Sequence, residues 1–145
     1  MNIKKSKGFT IIELLVVVAI IAVLAAIVLI NVTQYINKGR NAAIEGNLGS
    51  AMTNAAVFYD DNSTYAGYPT HSSYTPIRDA INSIVGANPV TFGTATNWCA
   101  CSAMKITNDS PANSTFCVDS TGYRKKTQNS LLCATRCPAA AACVD

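Results

Sequence analysis

The sequence predicts an α+β chain: one long N-terminal helix, half membrane-spanning and half amphipathic, then a small antiparallel sheet head with a disulfide-pinned C-terminal region. Three observations carry that expectation. Residues Phe9 to Ile30 form an apolar run broken only by Thr10 and Glu13. Beyond it, apolar residues recur at three- and four-residue spacing as far as Tyr59, the period of an amphipathic helix. The last third holds six cysteines among short apolar and β-branched runs separated by turn formers.

The apolar run comes first. At 1.5 Å rise per residue it makes a helix about 33 Å long, enough to cross a hydrocarbon core of about 30 Å. A secretory signal has a shorter apolar core and ends at a small-x-small cleavage site. Asn31-Val32-Thr33-Gln34 offers no such site. Lys4, Lys5 and Lys7 precede the run and no cation lies within it, which puts the N-terminus inside and the remaining residues outside. Glu13 is the single carboxylate in the run. An ionised Glu in a membrane span costs about 2–3 kcal/mol or more, so a functional partner is expected for it.

Lys7-Gly8-Phe9-Thr10-Ile11-Ile12-Glu13, followed by continuous apolar sequence, resembles the class III signal of type IV pilins and type II secretion pseudopilins. The resemblance implies that a prepilin peptidase cuts between Gly8 and Phe9 and methylates Phe9. It implies that Glu13 stays in the membrane and meets the Phe9 amine of an adjacent subunit during assembly. The implied partners are further copies of the chain, minor pilins, the peptidase, an inner-membrane assembly platform, and membrane lipid before assembly. The implied location is the bacterial cytoplasmic membrane (single pass, N-terminus in), then an extracellular filament or periplasmic pseudopilus. The chain then divides into a leader (1–8), a membrane and filament-core helix (9–30), its amphipathic continuation (31–62) and a globular cysteine-containing head (63–145). One departure is plain. The proline common near mature position twenty-two is absent, and Ile30 stands there ahead of Asn31-Val32-Thr33, weaker helix formers that force no break.

Loss of the leader would remove three lysines, turning a formal +3 into about zero. A near-neutral subunit suits self-association and gives no general case for nucleic-acid binding. The soluble part, about 100 residues, is the size of one small domain.

The second half of the helix should bury a stripe made of Ile36, Ala43, Ile44, Leu48, Met52, Ala55, Ala56 and Tyr59. Gly39, Gly46 and Gly49 interrupt it, each costing about 1 kcal/mol relative to Ala, and read as local bends or close packing of the head. Asp60-Asp61-Asn62-Ser63-Thr64-Tyr65, with Tyr68-Pro69 behind, ends it with turn formers. That ending resembles the helix end of many pilins. Asp60 and Asp61 oppose the helix dipole and would suit a calcium ion, but solvated acids are the simpler reading. Thr75-Pro76 should open a short helix with Ile77, Ile81, Ile84 and Val85 on its apolar face and Gly86 at its end. Val90–Phe92, Asn97–Ile106 and Phe116–Arg124 read as strands, the last folded about a tight turn. Three or four antiparallel strands are expected across the amphipathic half of the helix.

Cys99, Cys101, Cys117, Cys133, Cys137 and Cys143 all fall on the side expected outside the membrane, and an even count there reads as a disulfide framework. Fifteen pairings are open. Cys99 and Cys101 are expected on opposite faces of a strand, each bonded elsewhere. The weighed alternative is zinc held by Cys99-x-Cys101 and Cys133-x-x-x-Cys137, which lacks a nearby His and has unfavourable spacing. The tail from Cys133 to Cys143 reads as loop. No enzyme signature is present: His71 stands alone in a Thr-His-Ser-Ser loop, and there is no P-loop, GxGxxG or HExxH. No cofactor is expected. Arg124-Lys125-Lys126 is a short basic run, a solvated surface with DNA contact as the weaker alternative.

The function expected from all this is a structural subunit of a type IV pilus-like filament. The alternatives are a pseudopilin of a type II secretion or competence machine, and a monomeric signal-anchored binding domain. The Trp-Gly-x-Pro-Tyr stretch of major secretion pseudopilins is missing, since Trp98 is followed by Cys99.

Overall fold

The computed structural model describes residues 8–128 and 132–145 (Ile30 by its backbone alone); the basic leader through Lys7 lies outside them. In chain order it contains α1 (Ile11–Asn62), a 3-10 turn (Tyr68–Thr70), α2 (Thr75–Val85), β1 (Val90–Gly93), β2 (Trp98–Ala103), β3 (Thr115–Asp119), β4 (Arg124–Thr127) and α3 (Cys133–Arg136). The expected α+β class holds. The chain divides into two compact units, Met1–Tyr35 and Ile36–Asp145.

From Ile11 onward the first unit is helix, and its described apolar side chains are all exposed. At the polar stretch after the apolar run the helix does not break. Thr33 Oγ1 donates to the Leu29 carbonyl at 3.2 Å, so the hydroxyl bonds back within the helix.

In the second unit, α1 buries Asn41, Ile44, Leu48, Ala51, Ala55 and Phe58, a stripe of alternating three- and four-residue steps. This corrects the expected face. Ile36, Ala43, Ala56 and Tyr59 are exposed, while Ala51 and Phe58 are buried. Apolar residues on this helix occupy more than one stripe, and the head selects among them. The Phe58 ring meets Tyr68 at 5.4 Å between centroids, whereas Tyr59 stacks on Tyr65 at 4.6 Å on the outer side. The one polar residue on the buried stripe is satisfied: Asn41 accepts from the Lys105 N–H at 2.7 Å and donates to its carbonyl at 2.9 Å.

Helix α2 starts with Pro in its first turn and ends at Gly86, whose φ of 87° is a left-handed cap. Ile77 and Ile81 are buried, with Ile84 and Val85 packed beside them, as the periodicity predicts. The four strands form an antiparallel meander in sequence order. Trp98 and Ala100 of β2 and Phe116 and Val118 of β3 join the α1 and α2 residues in the main core.

The other face carries Cys99, Cys101 and Cys117 with Cys137 and Ala141. Cys99 and Cys101 therefore share a face, contrary to expectation, because side chains two apart on a strand point the same way. Each does bond elsewhere: Cys99 to Cys137, Cys101 to Cys133, while Cys117 takes Cys143. The tail also differs from the expected loop, since Cys133–Arg136 is a helical turn. Of the three glycines in the second half of α1, only Gly49 is closely packed. A Cβ there would lie 3.5 Å from the Arg124 guanidinium, while Gly39 and Gly46 face open space.

Candidate functional site: an apolar helix with one capped carboxylate

Thr10 and Glu13 form a reciprocal cap at the start of α1. Glu13 N–H donates to Thr10 Oγ1 at 3.2 Å, and Glu13 Oε2 accepts from both Thr10 N–H and Thr10 Oγ1 at 2.9 Å. This is the Thr-x-x-Glu capping box, which satisfies two N–H groups a helix start leaves orphaned. The negative charge also lies at the positive end of the helix dipole. Thr10 is thus a site residue that sequence reasoning passed over, although the Thr-x-x-Glu spacing was legible. Glu13 remains exposed, and both bonds fall on the same carboxylate oxygen.

Around this acid the surface is hydrocarbon. Phe9 is 77% exposed, and Ile11, Ile12, Leu14 and Leu15 are exposed beside it. The same holds through Leu29, with Ala19 and Ala22 leaving shallow grooves between larger neighbours. Such ridges and grooves are what a second apolar helix packs into. Among the described residues this is the one helix long and apolar enough to cross a bilayer.

The head places the remaining candidates apart from this surface in sequence and chemistry. His71 Nδ1 lies 2.9 Å from Ser73 Oγ and its ring packs on Phe58 at 4.8 Å, with no carboxylate among its hydrogen-bond partners. Asp60 and Asp61 are exposed at the end of α1, and no group of three or more ligand-type side chains among the described residues could hold a metal. All six sulfurs are in disulfides, leaving no thiolate for zinc. The basic run forms β4 and is engaged by the fold. Arg124 lies over the Phe116 ring, Lys125 pairs with Asp145 at 2.9 Å, and Lys126 Nζ donates to the Asp109 carbonyl at 2.7 Å.

A long apolar N-terminal helix and a disulfide-stapled α+β head agree with the type IV pilin-like fold expected from the sequence. Residues 3–29 match the family model described as the prokaryotic N-terminal methylation motif. The chain is 31% identical over 74 residues to the type IV major pilin protein PilA of Myxococcus xanthus, covering 51% of this chain and 34% of that one. It is 46% identical over 54 residues to the type IV major alpha-pilin of Moraxella bovis, covering 36% and 34%. With the type IV wide pilus major component PilA4 of Thermus thermophilus it shares 36% identity over 62 residues, covering 43% and 47%. The matches thus span between a third and a half of these relatives' lengths. No solved structure matches the chain.

Proposed function

We propose that this chain is a structural subunit of a type IV pilus-like filament, a building block with no catalytic role. It enters the cytoplasmic membrane through residues 9–30, is cut between Gly8 and Phe9 by a prepilin peptidase, is methylated at Phe9, and is passed to an assembly platform. The helix then exchanges lipid for the helices of other copies, while residues 63–145 stand outside as the head.

The observation that carries this reading is the continuous hydrocarbon surface of α1 from Ile11 to Leu29, interrupted only by Glu13. Lipid and neighbouring helices are equally apolar, so cohesion between copies comes from close packing, and a lone charge can set register. Glu13 meets the cationic Phe9 amine of the adjacent copy, because a charge taken out of water is tolerated when paired.

The test separates charge from cap. Glu13→Gln keeps an acceptor for Thr10 and removes the charge; Glu13→Ala removes both. The expected result is a normally processed subunit, N-methylated at Phe9, with filament yield strongly reduced in both variants. Wild-type yield from Glu13→Gln with loss only in Glu13→Ala would reduce Glu13 to a helix cap. A purified protein still beginning at Met1 would overturn the subunit reading itself.

A further inference from the structure

All three disulfides run from the sheet to the tail, joining Cys99, Cys101 and Cys117 to Cys137, Cys133 and Cys143. Hydrophobic packing alone distinguishes these partners poorly. Cys99 and Cys101 sit two residues apart on one face of β2, and Cys133 and Cys137 are one helical turn apart around α3. Between Cys133 and Cys143 the tail reads Ala-Thr-Arg-Cys-Pro-Ala-Ala-Ala-Ala, and of its apolar side chains other than cysteine only Ala141 is buried. Exchanging the partners of Cys99 and Cys101 would sacrifice little apolar contact.

The polar contacts are not degenerate. Arg136, between Cys133 and Cys137, is fully buried. Its Nη1 donates to the Thr115 carbonyl at 3.1 Å, to Thr115 Oγ1 at 3.2 Å and to the Lys125 carbonyl at 3.4 Å, reaching β3 and β4 together. Its Nη2 donates to the Tyr123 hydroxyl at 2.9 Å, which in turn bonds Asp145; Nε donates to the Val144 carbonyl at 3.2 Å. The Arg136 carbonyl accepts from the Val144 N–H at 2.9 Å. At the far end of β3, buried Asp119 accepts from Thr121 and Tyr123 through Oδ1, and its Oδ2 accepts from the Cys143 N–H at 2.9 Å. A guanidinium stays charged and its fork of donors has one geometry, so a tail shifted along the sheet would strand it unpaired in the interior.

We propose that Arg136 and Asp119 are positioning residues for oxidative folding: they set the register of the tail on β3 and β4 before the sulfurs join, and so select one pairing. The chemistry is thiol–disulfide exchange with a small disulfide as oxidant. One cysteine thiolate attacks it, forming a mixed disulfide and releasing one thiolate. The second cysteine thiolate displaces the other half, so two cysteines lose two electrons and one small disulfide becomes two thiols. Arg136 enters no bond-making step. It fixes which cysteine is within reach.

The test uses the full chain in detergent, reduced and unfolded, then refolded in reduced and oxidised glutathione. Pairings are assigned by electron-transfer fragmentation, which cleaves between Cys99 and Cys101. Wild type is expected to yield mainly the observed isomer. Arg136→Met should lower its fraction at least about threefold, with Cys99–Cys133 and Cys101–Cys137 as the leading by-product, and Arg136→Lys should recover part of the loss. Asp119→Asn should instead mispair Cys117 and Cys143. Oxidation in 6 M guanidinium, where no register exists, should give one distribution for every variant. The observed isomer at wild-type yield from Arg136→Met, whatever its thermal stability, overturns the proposal. So does a loss spread evenly over all fifteen pairings, which would mean general collapse.

Discussion

At the scale of single residues, two glycines carry opposite expectations that only their surroundings decide. At Gly93, where β1 ends, a Cβ would stand 2.5 Å from the Tyr65 carbonyl and 3.0 Å from Pro69, so the 3-10 turn can lie on the strand only over a bare backbone. Gly93→Ala is expected to destabilise the head by about 1–3 kcal/mol through this overlap. Gly46 sits inside α1 with nothing within 4 Å of a Cβ, and Gly46→Ala is expected to stabilise by about 0.5–1 kcal/mol by restricting the unfolded chain. Thermal or denaturant unfolding of both variants checks the pair, and like signs would contradict the structure. Glu13 shows the same dependence on setting. Its place in the apolar run and the Thr-x-x-Glu spacing are both legible in the sequence, and the Thr10–Glu13 bonds show the helix-start chemistry that this spacing encodes.

At the scale of elements, the existence of α1 and α2 was legible because periodicity, Pro76 and Gly86 are local signals. Which stripe of α1 turns inward was not. Ile44, Leu48 and Ala55 were placed correctly, but Ala51 and Phe58 displaced Ala43 and Tyr59, because Tyr68 of the 3-10 turn packs its ring on Phe58 and donates its hydroxyl to the Ala51 carbonyl. Leu48→Ala is expected to cost about 2–5 kcal/mol by opening a cavity in that core. Ala43→Ser and Ala56→Ser, both exposed, should stay within about 0.5 kcal/mol of wild type, so unfolding of the three variants reads out the buried face directly. The strands were placed within a few residues. Their order was not, since a meander and a crossed topology share the same alternation.

At the scale of the whole molecule, pH probes how the head is held together. Burial pushes the phenols of Tyr68 and Tyr74 up, and the Tyr68 hydroxyl also donates to the Ala51 carbonyl at 2.7 Å. A phenol harder to ionise when folded contributes stability that is complete below the unfolded pKa, about 10, and is lost as pH rises beyond it. On the acid side, the hydrogen bond from Lys38 holds the Asp109 carboxyl below its usual range, and those from Tyr123 and Lys125 do the same for Asp145. Their contribution is present above the unfolded value, about 4, and lost as pH falls through the lowered one. Both acids are exposed and screened, so the acid limb should be the shallower. Melting temperature from pH 2 to 12 should fall at both ends, with the 295 nm absorbance of Tyr68 and Tyr74 rising only as the head unfolds. Titration of both phenols in the folded head would count against the core described.

The sequence by itself determined the long apolar run of α1, its amphipathic continuation and the short helix α2. Each is written in neighbours close along the chain, through rise per residue or periodicity. Only the tertiary structure decided the inward stripe of α1, the sheet order, the partners of the six cysteines and the burial of Arg136. Those are contacts between residues far apart in the chain, chosen by which arrangement fills space and leaves no buried charge unpaired, and no local spacing encodes that choice.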